Sequence, residues 1–397
     1  MLEDSRISMV SNMYSHRKSL EKLKLVSSAK LKIWEKYLKY WLSSTDGETL
    51  FIVDLYAGSG KYEDEQIGTP LIAAKAAYQA AQKGKKIALI LTEKNRRKAH
   101  LLQEHIVQTF PDLPKLVSLF IFATEAENIS YFVSLIIGNS PSLILLDPYG
   151  YPLPIEQIQK LLENRNAEIL INLMWFRINM DIFQNKQKSP IRRFWGENFK
   201  SEFVKPLRDV EKRNRDSAFL ARIARRFRSK FHIPFQVCYS PEDVHGKLQT
   251  RRTKYFLVHF SNKLSSALAM RDIMWSVGDS PGAFSYTGRY DATVRGENIA
   301  DMENRLREKL MWILLFLFGG QEISLGDFLA RTISWRCPTE ILLYSLRKLR
   351  DSGLVLVKGK IARDATNSRI RFAYAFAHEN RLDGDILESH NWLQKGQ

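Results

Sequence analysis

The feature that most constrains this chain is a repeated pairing of a short apolar run with a helical segment. "TLFIVDLYAG", "KIALILTEKN", "VSLFIFATEAEN", "SLILLDPYG" and "AEILINLMWF" read as five strands. Helical stretches separate them, among them "TPLIAAKAAYQAAQKG", with Thr69 as N-cap, Pro70 in the first turn and Gly84 beyond the end. Near-continuous apolar strands alternating with helices predict a parallel sheet covered on both faces. The fold class expected is therefore α/β: a Rossmann-like, doubly wound, mostly parallel sheet.

In such a sheet ligands bind beyond the carboxyl ends of the strands, so the residues that end each strand carry the functional signal. Strand one ends on Asp54 and runs into Gly58 and Gly60. The glycines permit close approach of backbone to a ligand. The spacing is neither GxGxxG nor a GK[ST] phosphate loop, which argues against NAD and ATP. Strand two ends at Glu93, placed to accept hydrogen bonds from ribose hydroxyls. Strand three ends at Thr124 and Glu125, candidates for an adenine edge. Strand four ends in Asp147-Pro148-Tyr149-Gly150, an acid followed at once by a stiff residue and an aromatic. Arg177 and Asn179 follow strand five.

Around this core, residues 1–48 form an N-terminal helical segment, with Leu31, Trp34, Tyr37, Leu38 and Trp41 at helical spacing. Residues 49–298 form the main domain, with a basic helical insertion at about 181–232. Residues 299–397 read as three helices and a two-stranded hairpin, a winged-helix-like arrangement.

Charge narrows the partners. The 397-residue chain has a net charge of +17, and residues 186–263 alone hold twenty lysines and arginines against seven acids. Such an excess favours a polyanion, RNA or DNA, over other partners. Arg192, Arg193, Arg222, Arg225 and Arg226 are expected to form a phosphate-facing surface beside the cleft. The two cysteines have no metal-ligand spacing, the histidines form no cluster, and no metal is expected. No secretory signal or membrane span is read, so a cytoplasmic location is expected.

The strand-end set resembles class I S-adenosylmethionine-dependent methyltransferases. "DLYAGSG" is similar to the cofactor loop of nucleic acid amino-methyltransferases, and "DPYG" to a variant of their Asp-Pro-Pro-aromatic motif. Tyr149 takes the second proline's place and Gly150 the ring's, so stacking either passes to Tyr149 or Tyr151 or is absent. The segments "AKLKIWEKYLKYW", "FIVDLYAGSGKYEDEQIGTPL", "LLDPYGY", "INLMWFRINM", "KYFLVHFSNKLSSALAMRDIMW" and "FSYTGRY" together resemble the three-Cys-motif partner protein family over roughly residues 25–290. That resemblance implies a methyltransferase-like domain acting with a three-cysteine-motif protein. The methyltransferase resemblance, for its part, implies S-adenosylmethionine at Asp54, Gly58, Gly60, Glu93, Thr124 and Glu125. It places Asp147, Pro148 and Tyr149 at the chemistry, with an exocyclic base amine as acceptor. A catalytically silent docking subunit is the alternative, and a DNA-binding regulator carried by the winged-helix-like tail, with the Rossmann part as ligand sensor, a third.

Overall fold

The computed structural model describes residues 28–62, 66–184, 190–239, 252–278, 285–286 and 292–373. Of the segments that carry the resemblance, "FSYTGRY" lies outside them except for Ser285 and Tyr286.

Eight strands form one sheet: β1 (Leu50–Asp54), β2 (Ile87–Thr92), β3 (Ser118–Phe122), β4 (Ser142–Leu146), β5 (Ala167–Leu173), β6 (Phe231–Tyr239), β7 (Arg252–Ser261) and β8 (Ser285–Tyr286). Their spatial order is β3-β2-β1-β4-β5-β7-β6-β8. Strands β1 to β5 are mutually parallel, and β7 is antiparallel to both β5 and β6. The order reverses between β1 and β4, which opens a crevice at their carboxyl ends. This is the doubly wound, Rossmann-like architecture with a mostly parallel sheet that the strand–helix alternation predicts.

The sheet separates two cores. On one face the helix over residues 28–44 and helices Thr69–Ala81 and Leu264–Val277 cover Ile52, Leu89, Leu145 and Leu257. On the other, helices Ala126–Ile137, Ile155–Leu162 and Arg215–Phe227 cover Val53, Ile90, Ile144 and Val258. Alternate residues of one strand feeding opposite cores follows from the two-residue period of a strand.

Three expectations change. Thr69 is the first helical residue and not the N-cap, which is Gly68; the Thr69 hydroxyl turns away to donate to Asp54. The first helix of the tail starts at Ala292 and runs to Phe318, across the boundary drawn at 298/299. Among the described residues the tail holds three strands rather than two: β9 (Glu322–Ser324), β10 (Val355–Lys358) and β11 (Arg369–Phe372), antiparallel in the order β10-β11-β9. The added strand is three residues long and bonds to β11, a partner far away in sequence.

The tail is docked on the main domain. Arg271, 1% exposed on helix Leu264–Val277, donates to the Thr332 carbonyl (2.8 Å) and to Thr339 Oγ1 (2.9 Å). Asp272 Oδ1 accepts from the Thr339 backbone N–H (2.8 Å), at the N-terminus of helix Thr339–Asp351. A helix N-terminus has unpaired N–H groups, and here a neighbouring domain supplies the acceptor. No helix of the described residues is long and apolar enough to cross a membrane.

Candidate functional site

A cavity of about 860 Å³ opens at the carboxyl ends of β1, β2, β4 and β5. Its walls bring together Gly58, Gly60, Glu93, Glu125, Asp147, Pro148, Tyr149, Arg177 and Arg193 from the sequence-predicted set.

One half is a cradle built on β1 and β2. Asp54 ends β1 fully buried, and both of its oxygens are used inside the protein. Oδ1 accepts the Tyr56 N–H (3.0 Å) and Oδ2 the Thr69 hydroxyl (2.7 Å). Asp54 thus ties the glycine loop to helix Thr69–Ala81 and does not itself line the cavity. Burial raises its carboxyl to about 7, against the lowering effect of those hydrogen bonds. Gly58 sits at φ +68°, and a Cβ there would meet nothing within 4 Å because it would enter the open cavity. The Glu93 carboxylate is held from two sides, by the Gly58 N–H (3.1 Å) and the Asn95 N–H (2.8 Å). A carboxylate accepting one bond at each oxygen keeps lone pairs for a ligand hydroxyl. Gly60 closes the loop, its carbonyl accepting the Gly68 N–H (2.6 Å). Glu125 lines the cavity at the start of helix Ala126–Ile137, and Thr124 stays off its walls. This half fits a nucleoside cofactor through Glu93 and the open backbone at Gly58.

The other half is built on β4, β5 and β7. Asp147 Oδ1 accepts Asn172 Nδ2 (2.8 Å), and Oδ2 is ion-paired to Lys30 of helix 28–44. Burial alone would lower the Lys30 ammonium, but the Asp147 carboxylate together with Tyr62 and Tyr255 outweighs it and holds the group above the ordinary lysine range. Asn172 is 5% exposed and its Oδ1 has no hydrogen-bond partner. Pro148 is buried, while Tyr149 is 95% exposed. The Arg177 guanidinium lies 5.9 Å from the Tyr149 ring centroid. Gly150, at φ +150°, leaves room for it: a Cβ would sit 3.1 Å from Arg177 Nη1. Tyr151 donates its hydroxyl to Asp181 (2.8 Å) and packs near Phe194, so Tyr149 is the ring of this loop that faces solvent.

The arginine set divides. Arg193 lines the cavity and is ion-paired to Glu127; Arg192 pairs with Glu197 (2.6 Å). Arg222, Arg225 and Arg226 lie on helix Arg215–Phe227, away from the cavity walls. Arg222 Nη1 donates to the Glu202 carbonyl (3.3 Å), and Arg226 lies over the Trp195 ring (5.3 Å). Arg225 is exposed. Of the five arginines expected beside the cleft, Arg193 alone lines the cavity. Helical spacing aligns residues on a helix but does not say which element the helix packs against. Asn179 is half-buried outside the cavity walls, with its Oδ1 unpartnered.

Lys30, Asn172 and Lys254 are cavity residues that the sequence reading did not single out. Lys30 had a signal, being a lysine on the apolar stripe of Ile33, Trp34 and Tyr37. Lys254 had none, because its position depends on the register of β7 against β6. Among the described residues no group of three or more His, Cys, Asp or Glu side chains gathers as a metal site.

No family model and no curated protein matches this sequence. Two solved structures are similar at a distance. One is a SAM-dependent methyltransferase from Agrobacterium tumefaciens, 11% identical with a TM-score of 0.35, matched over 59% of this chain. The match takes in 62% of that protein, less than two thirds of its length. The other is a Legionella pneumophila protein carrying the family model DUF519, 11% identical with a TM-score of 0.30, over 58% of this chain and 84% of its own.

Proposed function

We propose that this chain is an S-adenosylmethionine-dependent methyltransferase acting on nucleic acid. The observation that carries the reading is the junction inside one cavity. The Gly58–Glu93 cradle stands on one side of the strand-order switch and the Asp147-Pro148-Tyr149 loop on the other. Glu93 would hold the ribose hydroxyls of S-adenosylmethionine, and the open backbone at Gly58 would admit its methionine arm. The cofactor supplies an electrophilic methyl group. The protein's part is to place the acceptor in line with it and to exclude water. Tyr149, exposed with Arg177 above it, is a platform for a nucleic acid base. Lys94, Lys98 and Arg177 on the walls favour phosphate nearby. The sequence expectation of an exocyclic amine as acceptor belongs to this reading, as does partnership with a three-cysteine-motif protein.

The test is calorimetry with S-adenosylmethionine, followed by transfer of labelled methyl to total cellular RNA and DNA. Heat of binding and label in nucleic acid are expected. No heat at millimolar cofactor removes the reading.

One observation favours a second reading, a docking subunit without turnover. The Asp147 carboxylate is ion-paired to Lys30 and bonded to Asn172, so its charge is already balanced within the protein. Cofactor binding without transfer, with or without the three-cysteine partner, would select it.

A further inference from the structure

The acceptor half of the cavity is better matched to an alcohol than to an amine. An exocyclic amine is activated best by a carboxylate that keeps its negative charge, and the charge of Asp147 is already matched by Lys30, with Asn172 on its other oxygen. A hydroxyl needs a base to take its proton and positive charge beside the oxygen as it becomes nucleophilic. The cavity has a nitrogen for each task.

Lys254 is the extra residue of a β-bulge. Val237 on β6 pairs with Tyr255, the next pair is Cys238 with Thr253, and Lys254 between them has no partner in the register. A bulge re-aims a side chain out of the strand's alternation and is common beside active sites. Here it brings Lys254 to the cavity wall, together with Lys30 and Asp147. Tyr62 from the loop after β1, Tyr255 beside it on β7 and Arg177 from helix Trp175–Phe183 line the same cavity.

We infer that the methyl acceptor is a hydroxyl oxygen, the ribose 2′-hydroxyl of RNA, with Lys254 taking its proton and Lys30, anchored on Asp147, holding positive charge beside the oxygen. This rests on the methyl-transfer reading above and departs from it only in the acceptor. In the step, an oxygen lone pair forms the new C–O bond to the methyl carbon of the sulfonium donor. The S–CH₃ bond breaks, with its electron pair going to sulfur. The hydroxyl proton passes to Lys254 Nζ, so the charge lost by the sulfonium appears on the lysine. The protonation tendencies run the right way: burial, then the charge of Lys30, lowers Lys254, while Lys30 is raised. Two like groups pushed apart in this manner mark a base and a permanent cation. The 2′-hydroxyl is the alcohol that accompanies a stacked base and a phosphate backbone, and DNA lacks it.

The experiment incubates the full chain with labelled S-adenosylmethionine and total RNA or DNA, then hydrolyses the RNA in alkali. A 2′-O-methyl group blocks cleavage at its own phosphodiester. Label is expected in RNA alone and in alkali-resistant dinucleotides. Label in DNA, or in mononucleotides methylated on the base, overturns the hydroxyl assignment and leaves the methyltransferase reading standing. No transfer to either polymer overturns both. Lys254→Met is expected to lower the rate about 10²–10⁴-fold with cofactor affinity kept; an unchanged rate removes Lys254 from the step. A further readout needs no cofactor. The pH midpoint for labelling Lys254 with an amine-reactive reagent, read by mass spectrometry, is expected below that of the chain's other lysines. A midpoint equal to theirs overturns the base assignment.

Discussion

Asp147 and Glu168 are acids on neighbouring strands, and both are reached from helix 28–44. Lys30 pairs with Asp147, and Tyr37, two turns along the same helix face, donates its hydroxyl to Glu168. Beyond that the sites diverge. Glu168 is sealed: Oε1 accepts Ser266 Oγ (2.8 Å), and Oε2 also meets His259 Nε2 (3.0 Å). Burial would raise its carboxyl, but the bonds from His259, Tyr37 and Ser266 outweigh burial and keep it below the ordinary range. Asp147 stops at a cavity wall, beside an unpartnered Asn172 oxygen. The same construction is cement where the carboxylate is enclosed by three core partners, and a site where the network ends at open space. Helix 28–44 serves both.

Substitutions break or sharpen this contrast, beginning with the largest effect. Glu168→Ala strands His259, Tyr37 and Ser266 in the core and is expected to cost about 3–5 kcal/mol of stability by chemical denaturation. A loss under 1 kcal/mol would show that the sealed site is not cement. Asp54 is a third acid, sealed but without a cation. Its folded value of about 7 lies above the ordinary 3.8. The sign follows: the unfolded chain releases this proton first, so wild type loses stability as pH rises from about 4 to 7, by about 1.4 kcal/mol per unit at most. Asp54→Asn is expected to match wild type near pH 4 and to exceed it at pH 8; parallel curves would refute the buried-acid reading. Asp147→Asn should cost only about 1–2 kcal/mol, between surface and buried pairs, because Lys30 can turn toward the cavity. A loss as large as that of Glu168→Ala would erase the distinction. Tyr149→Ala should leave stability within about 0.5 kcal/mol and weaken RNA binding by about 1–3 kcal/mol, read by fluorescence anisotropy.

The sheet was legible because β1 to β5 are apolar runs whose neighbours in space follow from the alternation with helices. The strand-end acids were legible as positions, not as roles. Asp54 looked like a ligand group and is a loop tie, because Thr69 and Tyr56 take its oxygens. Asp147 looked free and is paired, because its cation comes from 117 residues away. Local pattern carries propensity and burial; it does not carry a partner delivered by another element. The same limit hid β9, whose three residues gain strand character only from pairing with β11. It also hid the Lys254 bulge.

Helix Leu264–Val277 contributes Ala267 and Met270 to the core beneath the sheet and Leu268 to the core of the tail. Its Arg271 is buried between them, with bonds that exist only while the tail is docked. A helix shared in this way cannot melt in one core and persist in the other. The topological boundary near residue 299 is therefore not a boundary of cooperativity. Removing the tail would leave the Arg271 guanidinium without those partners and expose the Leu268 face together, so the main domain cut there is expected to be a destabilised fragment rather than an independent unit.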